Sequence, residues 1–262
     1  KGLDNVTKQF LNSGNNAYKR GDLDKATSFY KKALKFDENF YLAYFQLGVL
    51  EKKMGRSKSS IDYLKKVISI KPEHDKSWFT LGSAYESDGN FDEAIKHYLK
   101  AIDLNASYSK AYGNLGKLYI NKGSLKDAED ILKTVTQIDD RYADGFMHLG
   151  ILYLKQEKFE SAAENLLIAT NLDKKDYNKF FNLATSYNAV ENWEGSLAAA
   201  RKCTELQKRF GGGWYELGVS EMGKGNKTRA KRHFDEAHKD RDWRELAARK
   251  IDEINNPDKY QK

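Results

Sequence analysis

Residues 75–108 read DKSWFTLGSAYESDGNFDEAIKHYLKAIDLNASY. Trp78, Leu81, Gly82 and Tyr85 stand at i, i+3, i+4 and i+7, which is one face of a helix. Gly89-Asn90 interrupts the pattern, and Ala94, Ile95, Tyr98, Ala101 and Ile102 resume it as a second stripe. Two short amphipathic helices joined by a tight turn cannot bury both stripes alone, so this unit requires neighbours.

Shifting the unit by 34 residues in both directions supplies them without insertion or deletion, as copies 7–40, 41–74, 75–108, 109–142, 143–176, 177–210 and 211–244. Position 4 is always aromatic: Phe10, Tyr44, Trp78, Tyr112, Phe146, Phe180 and Trp214. Position 8 is always small (Gly14, Gly48, Gly82, Gly116, Gly150, Ala184, Gly218), and so is position 20 (Ala26, Ser60, Ala94, Ala128, Ala162, Ser196, Ala230). Small residues at both places let the two helices of a repeat cross closely, and the aromatic fills the gap left beside the neighbour. Gly21, Gly55, Gly89, Gly123 and Gly225 hold position 15, where a helix ends in a left-handed turn. Glu157 and Glu191 replace glycine there, so those two turns must use another geometry or bear strain.

This spacing resembles the tetratricopeptide repeat, with its 34-residue period and W–L–G–Y…A…F…A pattern, over residues 7–244. The resemblance implies one all-α domain across residues 1–262. Its form would be a right-handed superhelical α-solenoid of antiparallel helix pairs, with first helices lining a concave groove. Departures are local: Pro72 is the one proline at position 32, and Glu51 and Glu221 stand at position 11 where Tyr is usual. Residues 243–254, WRELAARKIDEI, put Trp243, Leu246, Ala247, Ile251 and Ile254 on one face, so a capping helix is expected at about 243–255. At the front, Leu3, Val6 and Phe10 share a face. Gly211-Gly212-Gly213 reads as a loosened joint, a hinge before repeat seven.

The resemblance also assigns the groove to positions 2, 5, 6, 9, 12 and 13 of each first helix. Position 5 gives an apolar stripe that includes Phe45, Phe79, Met147, Phe181 and Tyr215, and Val49 and Ile151 at position 9 widen it. These side chains serve packing and partner contact alike. Position 6 carries Asn12, Gln46, Asn114, His148 and Asn182, a broken ladder whose amides offer a donor and an acceptor to an extended backbone. Asn15 adds another amide at position 9. The lining cations include Lys8, Lys52, Lys53, Lys76, Lys110 and Lys117, set against Glu86, Asp144 and Glu216. The expected partner is thus a protein or peptide, acidic toward repeats one to four and apolar toward repeats five to seven. The clamp with which some family members hold a C-terminal carboxylate is absent: Asn15 and Lys76 match it, but Leu11, Gln46 and Thr80 do not.

Composition sets the remaining bounds. The net charge is +7, with basic ends (+7 over residues 1–74, +6 over 201–250) around an acidic middle (−5 over 75–200). Such a distribution favours steering or self-association into a homo-oligomer and is thin for phosphate binding, which argues against nucleic acid. No apolar run reaches membrane-spanning length. There is no GxxxxGK[ST], HExxH, GxSxG or CxxC motif, the five histidines are scattered, and Cys203 occupies a small buried position. Neither an enzyme nor a bound cofactor or metal is expected. The alternative to a groove scaffold is an assembly subunit associating through its convex face and ends. A lysine- and asparagine-rich chain of uninterrupted repeats reads as bacterial. It begins at Lys1, so its compartment is open between cytoplasmic and, with an upstream signal or lipobox trimmed, periplasmic or exported.

Overall fold

Every 34-residue copy yields one helix pair, A then B. The computed structural model describes residues 2–260, with the side chains of residues 4–260, so Leu3 of the expected first apolar face lies outside the described side chains. The pairs are α1 (Gly2–Lys19) and α2 (Leu23–Phe36), α3 (Tyr41–Lys53) and α4 (Ser57–Ile70), and α5 (Asp75–Ser87) and α6 (Phe91–Leu104). They continue with α7 (Ser109–Lys122) and α8 (Leu125–Ile138), α9 (Ala143–Lys155) and α10 (Phe159–Leu172), and α11 (Tyr177–Ala189) and α12 (Trp193–Leu206). The last pair is α13 (Gly211–Gly223) and α14 (Lys227–Ala237), followed by α15 (Arg244–Asn255) and a short 3-10 turn at Pro257–Lys259. The described residues form no strand. They group into two compact units, one up to Leu118 and one from Tyr119 onward, with the boundary inside α7.

The pairs cross closely because glycine at position 8 lies under a large side chain at position 24. A Cβ on Gly14 would come within 2.4 Å of the Tyr30 ring, on Gly150 within 2.5 Å of Leu166, and on Gly218 within 2.4 Å of Phe234. Repeat six solves the same crossing differently: Ala184 brings a methyl group, and position 24 there is Ala200. Where position 20 is serine, its hydroxyl is used as well. Ser60 donates to the Gly48 carbonyl (2.7 Å) and Ser196 to the Ala184 carbonyl (3.0 Å), so a buried polar atom is satisfied.

The turn between A and B helices is left-handed in seven repeats' worth of sequence, glycine or not. Gly89 has φ +79°, and Glu157 and Glu191 adopt φ 58° and 57°. The two glutamates therefore keep the family turn and bear the strain. Gly211, Gly212 and Gly213 do not form a hinge. They are buried in the first turn of α13, where added Cβ atoms would approach Asp240 (2.6 Å), the Phe210 ring (2.5 Å) and Cys203 (2.9 Å). Their lack of side chains serves tight packing rather than freedom of the chain. At the end of the second unit, Ala247, Ile251 and Ile254 of α15 pack on Ala230, Phe234 and Ala237, joined by Tyr215, Val219 and Met222 of α13.

Candidate functional site

In the first unit the A helices present a connected polar network at the positions assigned to partner binding. Lys52 donates to the Ser83 hydroxyl at 2.7 Å, and Lys117 pairs with Glu86 at 2.6 Å. The other Glu86 oxygen accepts from the Tyr98 hydroxyl at 2.7 Å, and Asn114 donates to that hydroxyl at 3.1 Å. Burial pushes the Lys52 ammonium below its ordinary value, with Glu86 offsetting part of the effect. Burial first, and the Glu86 charge second, push the Tyr98 phenol well up, so it remains a hydroxyl donor.

The cations divide accordingly. Lys52 and Lys117 are half-buried and engaged, and Lys8 pairs with Asp4 at 2.8 Å. Lys53, Lys76 and Lys110 are exposed and make no ion pair among the described residues; Lys53 lies 4.6 Å from the Tyr18 ring centre. Of the amides, Asn15 accepts from Tyr30 (2.9 Å) and so serves the repeat's own packing. Asn12 is exposed and Gln46 half-buried. Val49 is half-buried on α3.

Position 5 belongs to an aromatic clip in repeats two, three and six. Phe45 meets His74 edge-on at 5.2 Å between centroids, Phe79 meets Tyr108 at 4.9 Å, and in the second unit Phe181 meets Phe210 at 5.1 Å. The partner in each case stands at position 34 of the same repeat. That row (Phe40, His74, Tyr108, Tyr142, Phe210, interrupted by Asp176) is a further period in the sequence, carried by the turn that follows each B helix rather than by the A helices. Trp243 joins the last clip, 5.6 Å from Phe181 and 5.2 Å from Tyr215.

In the second unit Met147, His148, Ile151, Phe181, Asn182 and Tyr215 are all half-buried on α9, α11 and α13. Asn182 donates back to the Asn178 carbonyl at 2.8 Å. Two acids expected to line the groove are engaged elsewhere. Asp144 pairs at 2.8 Å with Lys179, a fully buried lysine that also meets Asp173 and Asp176. Burial works against that ammonium, but the three carboxylates outweigh it and hold its pKa up. Glu216 is only 6% exposed and has no cation partner among the described residues; Asn188 (2.6 Å) and Thr185 (3.0 Å) donate to it. Ser220 continues this network to Asn188 and Ser196, both at 2.8 Å. Neither Lys179 nor the depth of Glu216 was foreseen, because charge at these positions normally marks a solvated face. Cys203 is buried, and desolvation pushes its thiol up to about 12, as suits a core residue. Among the described residues no helix is long and apolar enough to cross a membrane, and no cluster of His, Cys, Asp and Glu could hold a metal.

Comparison with known proteins follows the same lines. Patterns described as tetratricopeptide repeat match residues 10–40, 41–74 and 109–142, and one described as TPR repeat matches 82–123. No curated protein matches the chain. Among solved structures, a tetratricopeptide repeat protein from Parabacteroides merdae is similar over 96% of this chain and 100% of its own (15% identity, TM-score 0.68). MamA is 26% identical over 62% of this chain and 95% of its own, with TM-score 0.57. YrrB, described as a TPR protein with an unusual peptide-binding site, is 23% identical over 71% of this chain and 96% of its own, with TM-score 0.60. The likenesses to the first and third speak to the fold alone.

Proposed function

Because the chain is a tandem tetratricopeptide repeat protein, we infer that it is a non-catalytic scaffold holding a peptide or partner segment against the A-helix face of its repeats. The observation that carries this reading is the state of the first unit's lysines. Lys53, Lys76 and Lys110 remain exposed and unneutralised, while Glu86, the acid on the same face, is closed off by Lys117 and Tyr98. An acidic segment would find cations there without competition from the protein's own carboxylates. Asn12 and Gln46, together with the remaining valences of Asn114, would meet its backbone. The half-buried Phe45, Phe79 and Val49 supply apolar contact, and Met147, Ile151, Phe181 and Tyr215 would do so from the second unit. The peptide-binding site of YrrB is consistent with such use of the fold.

The test is capture with a photo-crosslinker placed at Phe79 and at Leu99. Adducts from Phe79 support the reading; adducts confined to Leu99, on the exposed side of α6, oppose it. A second reading, an assembly subunit, is favoured by one observation: Leu167, Ile168 and Leu172 of α10 are 43%, 40% and 39% exposed. Light scattering after size exclusion at low and high salt separates the two, since a concentration-dependent oligomer belongs to the second.

A further inference from the structure

Helix α14 opens KTRAKRHF, and its solvent face carries charge that nothing in the fold uses. Lys227, Arg229 and Arg232 are exposed and Lys231 half-buried. The neighbouring Lys224, Lys239 and Lys250 pair with Glu194, Glu236 and Glu253, whereas the four on α14 have no carboxylate within 4.0 Å among the described residues. Their placement also works against the helix. Cations in the first turns oppose the positive end of the macrodipole. The first turns of α6, α8, α10 and α12 carry Asp92 and Glu93, Asp127, Glu160 and Glu194 instead, and that of α14 carries no acid. Lys227 and Arg229 in this first turn are a cost to the helix, as Lys58 is in the acid-free first turn of α4, and Lys231 and Arg232 extend the same unneutralised face beyond it.

We propose that this face of α14 is a second docking surface, separate from the A-helix face, for an acidic peptide segment of a partner protein that carries a small apolar side chain. The occupant follows from what surrounds the cations. Lys227, Lys231 and Arg232 share a shallow cavity of about 310 Å³ with Thr228, Asp235 and Ile254. Ile254 gives an apolar wall for one side chain. Asp235 can accept only from an N–H or O–H; a peptide brings backbone N–H groups, while a phosphate backbone brings none and would be repelled. Stacking aromatics suited to nucleic acid are missing from this wall, since Trp214 lies stacked on His233 at 5.9 Å. One isoleucine is too little apolar surface for insertion into a bilayer.

The experiment uses the full chain and a short peptide of Glu and Asp with one central photoreactive leucine, adducts being mapped by mass spectrometry. Adducts on residues 227–235 and 250–255 are expected. Their yield should fall about tenfold in Arg229→Glu/Arg232→Glu and stay within twofold in Lys53→Glu/Lys110→Glu. In parallel, Lys227→Glu/Arg229→Glu should raise the thermal midpoint while lowering adduct yield, because acids suit the helix start. Adducts only elsewhere, an unchanged yield in Arg229→Glu/Arg232→Glu, or a lower thermal midpoint in Lys227→Glu/Arg229→Glu would overturn the proposal. So would displacement of the peptide by phosphatidylglycerol vesicles or a DNA duplex at lower concentration than by unlabelled peptide.

Discussion

Asn188 donates to the Glu216 carboxylate across 2.6 Å, joining the sixth repeat to the seventh through a bond that is wholly buried. The carboxylate sits at a position where an A helix ordinarily faces the groove, yet it has become part of the seam between α11 and α13.

This burial makes stability depend on pH. Desolvation, only partly offset by Asn188 and Thr185, pushes Glu216 up to about 7 from an ordinary 4.5. The groups facing it, Cys203 on α12 and Tyr215 beside it, both have raised pKa values and stay neutral across this range. Below about pH 4.5 the carboxyl is neutral folded or unfolded. Between about pH 4.5 and 7 the unfolded chain ionises while the folded carboxyl stays protonated, so stability falls by roughly 3 kcal/mol across that window and levels off above it. Glu216→Gln should flatten the dependence and stabilise the protein at pH 8. Thermal midpoints at pH 5 and pH 8 measure both effects.

The two glutamates in left-handed turns make a second case. Glu191 at φ 57° holds a conformation that costs an L-residue about 1 kcal/mol, and glycine removes that strain at some entropic cost in the unfolded chain. Glu191→Gly should therefore raise stability by about 0.5 kcal/mol in urea denaturation, and Glu157→Gly likewise. A loss in both would mean that the turn is not strained.

Close crossing of the helix pair predicts a specific non-additivity. Gly150→Ala should cost about 1–3 kcal/mol, because its methyl would meet Leu166 at 2.5 Å. Leu166→Ala costs about 2–5 kcal/mol as a cavity. Together they should cost at least 1 kcal/mol less than their sum, since repeat six folds with Ala184 and Ala200 in the same two places.

Much of this architecture was legible because packing in a repeat is periodic, and periodic constraints appear in a single sequence. The 34-residue register located each helix pair, and position 15 located each turn, including those at Glu157 and Glu191. The Gly211–Gly213 run misled because glycine serves both freedom and close approach, and only the surrounding Phe210, Cys203 and Asp240 distinguish them. Partner-facing positions were harder. Whether Lys117 offers a charge outward or gives it to Glu86 depends on a contact between repeats, and side-chain pairing of that kind leaves no period. Lys52 and Lys117 looked equivalent to Lys53 and Lys110 in the sequence; the fold separates them.

That separation gives the central claim its most direct test. Once a partner segment has been captured, its affinity should be measured by calorimetry against the wild-type chain and against Lys53→Glu/Lys76→Glu/Lys110→Glu, at low and at physiological salt. These three side chains are exposed and outside every ion pair described, so their reversal should leave the thermal midpoint within a few degrees. The account predicts at least a tenfold loss of affinity, larger at low salt. Unchanged affinity in a stably folded variant would contradict it.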